Sequence, residues 1–117
     1  MIVVRDIFQL KFGKAREAVA LWKEGLGFLR RSNAMKDARL LTDLTGPYYT
    51  LVLETTYESL AEFDRELRET PSDDEWRAWY ARFTPLVDSG RRELFTVVGS
   101  DIPSLQPPAR AEAMKAR

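Results

Sequence analysis

The chain has no cysteine and no histidine. Without cysteine there is no disulfide framework, no thiolate nucleophile and no cysteine-ligated metal. Without histidine the commonest general base, the commonest zinc and haem ligand and the usual pH switch are missing. Net charge is missing too, since 18 Lys and Arg balance 18 Asp and Glu. No global field therefore steers nucleic acid or anionic lipid to the surface. The basic pairs Arg30-Arg31 and Arg91-Arg92 are short and fall near expected helix ends, where cations favour the helix dipole. No basic stripe interleaves with aromatic residues, so no nucleic-acid partner is expected. No apolar run approaches the length of a membrane span, so no membrane partner is expected either. Met1 to Asp6 lacks a basic segment leading into a long apolar stretch; no signal peptide is expected, and cytoplasm is the expected location. Catalysis, if there is any, falls to Asp, Glu, Tyr, Lys, Arg or a borrowed cofactor. No metal and no cofactor is expected from the residues themselves.

A length of 117 residues suits one domain that buries its core without staples. Ile2 to Lys11, rich in β-branched and aromatic residues, predicts a first strand broken by Gly13. Lys14 to Arg31 carries Ala18, Leu21, Trp22, Gly25 and Leu29 at the spacing of one helical face. Ser32 to Ala38 reads as a polar loop and Arg39 to Thr45 as a second strand. Gly46-Pro47 signals a turn. Tyr48 to Tyr57 predicts a third strand. Ser59-Leu60-Ala61-Glu62 is a capping box that opens a helix with Leu60, Phe63 and Leu67 inward. Pro71 ends it, and Ser72-Asp73-Asp74-Glu75 opens another, presenting Trp76, Trp79, Tyr80, Phe83 and Val87. Pro85 kinks or shortens that helix, and Ser89-Gly90 closes it. Arg92 to Gly99 predicts the fourth strand. Residues 1–100 are expected to form the domain. Residues 101–117, holding Pro103, Pro107 and Pro108, are expected to be an extension docked on the helical face or on a partner subunit.

The order strand, helix, strand, strand, helix, strand predicts an α+β, ferredoxin-like βαββαβ sandwich with a four-stranded antiparallel sheet. Side chains alternate along strands. Leu51, Leu53, Thr55 and Tyr57 should pack under the helices, along with Leu40 and Leu44 of strand two. In strand one Val4, Phe8 and Leu10 share a face with Asp6; Val3 and Ile7 share the other with Arg5 and Gln9. The second set is expected on the face away from the helices, with Leu41, Val52 and Phe95. So large an apolar patch rarely stays exposed. A second copy of the same sheet across a two-fold axis is its simplest cover.

Residues 2–11 (Ile-Val-Val-Arg-Asp-Ile-Phe-Gln-Leu-Lys), the run 41–54 (Leu-Thr-Asp-Leu-Thr-Gly-Pro-Tyr-Tyr-Thr-Leu-Val-Leu-Glu), and the segments 75–83 and 89–95 resemble the NIPSNAP-like branch of the dimeric α/β-barrel superfamily. The likeness covers most of residues 1–99. It implies a homodimer in which two ferredoxin-like sheets pair into a barrel. Members include small isomerases, monooxygenases and haem enzymes, and many have no known activity. The haem-dependent ones use a histidine ligand, which this chain does not have.

Glu54 is the residue to single out. As a carboxylate in a half-apolar cavity it would have a raised pKa and move a proton from a carbon acid. As one half of a cross-strand ion pair it would need no further role. A two-residue Gly46-Pro47 turn would set Thr45 against Tyr48 and, counting outward, Arg39 against Glu54. Strands one and three are neighbours in this topology, so either Arg5 or Asp6 shares a face with Glu54. Arg5 would keep the carboxylate ionised. Asp6 would make a pair sharing a proton. The candidate catalytic residues are thus Glu54 and Asp43. The candidate ligand-binding residues are Arg5, Arg39 and Gln9, with Trp76 and Tyr80 of the aromatic stripe. Three functions are expected in turn: a homodimer that binds a small organic molecule in a cavity between sheet and helices or between the paired sheets, a cofactor-independent isomerase or monooxygenase of small carbonyl or aromatic compounds, and a non-catalytic assembly module. An enclosed cavity favours the first two, and a cavity filled by side chains the third.

Overall fold

The computed structural model describes residues 1–31, 35–70 and 73–103. Its elements run β1 (Ile2–Leu10), α1 (Ala15–Leu29), β2 (Met35–Thr42), β3 (Thr50–Tyr57), α2 (Leu60–Glu69), α3 (Asp74–Phe83) and β4 (Val87–Thr96), with a 3-10 turn at Thr84–Leu86. The four strands form one antiparallel sheet in the order β2-β3-β1-β4. This is the expected ferredoxin-like α+β sandwich. The expected extension lies, from residue 104 on, outside the described residues.

Local chemistry starts the second and third helices. Ser59 accepts the Glu62 amide at 3.2 Å at the head of α2. Asp73 accepts the amides of Glu75, at 2.9 Å, and Trp76, at 3.3 Å, at the head of α3. Each satisfies amides that the helix itself leaves unpaired. The core lies between the sheet and the helices. It holds Leu10, Leu51 and Leu53 from the sheet, Ala18, Leu21 and Trp22 from α1, and Trp79 and Phe83 from α3. A smaller cluster joins Val4, Tyr57 and Phe63 under α2. The expected helix-facing set of β3, Leu51, Leu53, Thr55 and Tyr57, is buried throughout.

Four expectations are corrected. Strand β2 starts at Met35, not Arg39. Its Lys36 and Asp37 read as loop because they are polar, but β2 is an edge strand, where charged residues are favoured. The expected strand ends Thr45 and Tyr48 give way to Thr42 and Thr50, which makes the β2–β3 turn longer than Gly46-Pro47 alone. Pairing stops at Thr42–Leu51, and residues 43–49 form an open loop with Gly46 and Tyr49 at positive φ. Leu44 therefore lies in a loop, 97% exposed, rather than under the helices. In α2 only Phe63 is fully inward, while Leu60 and Leu67 are exposed. Finally, α3 stops at Phe83, because Pro85 has no amide to continue it. Ser89 and Gly90 belong to β4, and Gly90 fits there because a side chain would meet the Phe8 ring, with Cβ 3.2 Å from Cδ1.

Candidate functional site

The two faces of the sheet carry different chemistry. On the outer face the strand registers line up Arg39, Glu54, Arg5 and Glu93 in one row across all four strands. Arg5 Nε donates to Glu54 Oε2 at 2.9 Å, and Arg39 donates to Oε1 of the same carboxylate. Burial pushes the Glu54 carboxyl up, but the hydrogen bonds and charges of Arg39 and Arg5 outweigh it and hold the group below the usual carboxylate range. Arg5 also stacks over Phe95 at 5.3 Å. Gln9 Nε2 donates to the Tyr48 carbonyl at 2.6 Å and so braces the 43–49 loop. Val3, Ile7, Leu41, Val52 and Phe95 share this face, with Leu41 and Phe95 exposed.

The inner face holds a cavity of about 620 Å³, partly open to solvent, between the sheet and the helices. Its sheet side is Asp6, Phe8, Leu53, Thr55 and Tyr57. Trp22, Phe63, Trp76, Tyr80 and Phe83 supply aromatic walls. The tryptophans lock one another. Trp22 and Trp79 meet edge-on at 4.5 Å, and Trp76 stacks on Trp79 at 4.9 Å. Trp79 is fixed by its indole N–H, which donates to the Leu21 carbonyl at 2.8 Å. Trp22 is only 2% exposed, and its indole N–H has no acceptor among the described residues.

The polar end of the cavity is built on β1, β3, α2 and β4. Arg92 Nε donates to Asp6 Oδ1 at 2.5 Å, and the guanidinium lies 5.3 Å from the Phe63 ring centroid. Burial, then the charge of Glu66, pushes the Tyr57 phenol up to about 12. Glu66, Leu67 and Thr70 complete this end.

Of the candidate residues, Trp76 and Tyr80 border this cavity. Glu54, Arg5, Arg39 and Gln9 lie on the opposite face. Asp43 lies in neither place. Its carboxylate accepts the Thr50 amide at 2.9 Å, and it borders a separate open hollow between the loop and α1. Sequence reasoning did not single out Tyr57, Phe63, Glu66 or Arg92 for the site. A signal existed for α2, where Phe63, Glu66, Leu67 and Thr70 form one helical stripe with a carboxylate in it. Among the described residues no acidic cluster suited to a metal ion occurs, and no helix is long and apolar enough to cross a membrane.

Residues 5–100 match the sequence profile of the NIPSNAP family. The chain belongs to the NIPSNAP family. Solved NIPSNAP structures share its fold. An uncharacterised NIPSNAP domain protein from Burkholderia xenovorans is 20% identical, with 84% of this chain and 95% of that one covered at a TM-score of 0.73. A NIPSNAP family protein from Agrobacterium tumefaciens is also 20% identical, with 90% of each chain covered and a TM-score of 0.76. SnoaB, a cofactor-independent oxygenase from Streptomyces nogalater, is 15% identical, with 86% of this chain and 96% of that one covered at 0.67. No match is found among curated proteins.

Proposed function

We propose that this NIPSNAP protein binds a small, flat organic molecule between its sheet and helices, and that it does so as a homodimer whose sheets pair face to face. The cavity carries the reading. Its volume of about 620 Å³ suits a small ligand, and its aromatic walls with a few polar groups are the usual make-up of such a site. Side chains do not fill it, as they would in a pure assembly module. Trp76 and Tyr80 are the side chains expected to lie along the ligand. The dimer is supported by the apolar residues Val3, Ile7, Leu41, Val52 and Phe95 gathered on the outer face.

A second reading is an isomerase or monooxygenase of small carbonyl or aromatic compounds that needs no cofactor. The fold shared with SnoaB favours it, as does the carboxylate of Asp6 at the cavity wall. Under that reading the base is one of the carboxylates at the cavity, Asp6, Glu66 or Asp88, since Glu54 and Asp43 lie outside it. Calorimetric titration with two-ring aromatic compounds tests binding. Saturable binding that Trp76→Ala weakens at unchanged fold is the expected result. Oxygen uptake or isomer formation by the same mixtures separates enzyme from binder.

A further inference from the structure

The charged groups around the cavity do not cancel. Asp6 is neutralised by Arg92 at 2.5 Å. Arg91 borders the cavity, but its guanidinium pairs with Glu93 at 3.5 Å on the outer face. Two carboxylates remain at the cavity, Glu66 on α2 and Asp88 at the start of β4. Neither has an ion-pair partner among the described residues. Burial and then the charge of Glu66 push the buried phenol of Tyr57 up. Asp6 adds to this, while a hydrogen bond with Thr55 and the charge of Arg92 oppose it.

The walls suit the same sign. Aromatic faces attract cations. Arg92 already uses one of them, the Phe63 ring. Trp76 and Tyr80, with centroids 6.1 Å apart and planes 28° apart, have no cation of the protein's own over them among the described residues.

We propose that the cavity selects a cationic aromatic ligand: an amine protonated at neutral pH, with its ring along Trp76 and Tyr80 and its ammonium against Glu66. This rests on the ligand-binding reading and adds a charge preference to it. Glu66 and Asp88 disfavour a ligand carboxylate by like-charge repulsion.

Three probes of nearly equal shape test it by calorimetry at pH 7 and low salt: 1-naphthylmethylamine, 1-naphthalenemethanol and 1-naphthoate. The amine is expected to bind about tenfold more tightly than the alcohol, and the acid more weakly than both. Glu66→Gln should remove most of the amine's advantage over the alcohol. The amine's advantage in the unaltered protein should also shrink as salt rises, which keeps the test open if the variant folds poorly. An alcohol or acid that binds as tightly as the amine overturns the proposal, as does an advantage that survives Glu66→Gln largely intact. If the alcohol binds and the amine gains nothing, only the charge preference falls. If none of the three binds, the ligand-binding reading falls and takes the preference with it.

Discussion

Gly25 of α1 lies directly against Trp79 of α3: a β-carbon at position 25 would sit 2.6 Å from Cζ2 of that indole and 2.8 Å from Cε2. Trp79 has little room to yield, because its N–H is bonded to Leu21. Alanine is the better helix former by about 1 kcal/mol, yet overpacking a core costs about 1–3 kcal/mol. Gly25→Ala is therefore expected to destabilise the protein and to disturb the stacked Trp76 at the cavity wall. Thermal melting checks this; an unchanged or raised midpoint would show that the contact between α1 and α3 relaxes freely.

Glu54 is 12% exposed at its side chain, and its two arginine partners are about half exposed. Glu54→Gln should cost about 1–2 kcal/mol in the isolated chain, less than for a fully buried pair because solvent screens the guanidiniums. The sign of the pH dependence follows from a carboxyl held below its ordinary range. Its contribution is complete above the unfolded value of about 4.3 and is lost as pH falls through the lower folded value. Urea unfolding across the acid range should show a steeper loss for the unaltered protein than for Glu54→Gln. A carboxyl titrating near pH 6 would instead mark Glu54 as a proton acceptor.

Burial and the charge of Glu66 push the Tyr57 phenol up to about 12 in the folded state, against about 10 in the unfolded chain. A raised acid is protonated in the folded state after the unfolded chain has lost its proton. Its contribution is complete below pH 10 and is lost as pH rises toward 12, at roughly 1.4 kcal/mol per pH unit. Tyr57→Phe should therefore flatten the alkaline limb of stability. Equal alkaline loss in both proteins would mean that the phenol is not shielded.

Val52 lies near the middle of the outer face, paired with Ile7 on one side and Leu41 on the other. A dimer built on this face should bury more than roughly 2,000 Å² in total. Val52→Lys would place an unpaired charge there and should split the dimer or unfold the chain. Sedimentation at micromolar concentration checks both proteins; a folded, stable monomer in the unaltered protein contradicts the paired-sheet assembly.

The architecture was legible because strand alternation is local. Leu51, Leu53, Thr55 and Tyr57 announced their face, and the pairing of Arg39 with Glu54 followed by counting from Gly46-Pro47. That count succeeded although the turn is longer, because Asp43 and Thr50 close the ladder in the same register. Hiding the site were distances that no local pattern encodes. The pairing of Asp6 with Arg92 depends on how β4 returns after the 3-10 turn at Thr84–Leu86. Glu54 drew attention as a charge in an apolar strand, yet its partners settle it on the outer face. Asp6 was visible as a carboxylate among Val4, Phe8 and Leu10, but only the fold shows that Asp6 and Phe8 border a cavity while Val4 and Leu10 are buried in the core.

The three indole N–H resonances give the most direct test of ligand binding in the cavity. Trp22 and Trp76 border it, whereas the Trp79 N–H is committed to the Leu21 carbonyl. Titration with 1-naphthylmethylamine, followed by nitrogen–proton correlation spectra, should shift the Trp22 and Trp76 indole signals saturably. The amides of Leu41, Val52 and Glu54 on the outer face should stay in place. Shifts confined to that outer face, or no saturable shift of either indole, would contradict the account.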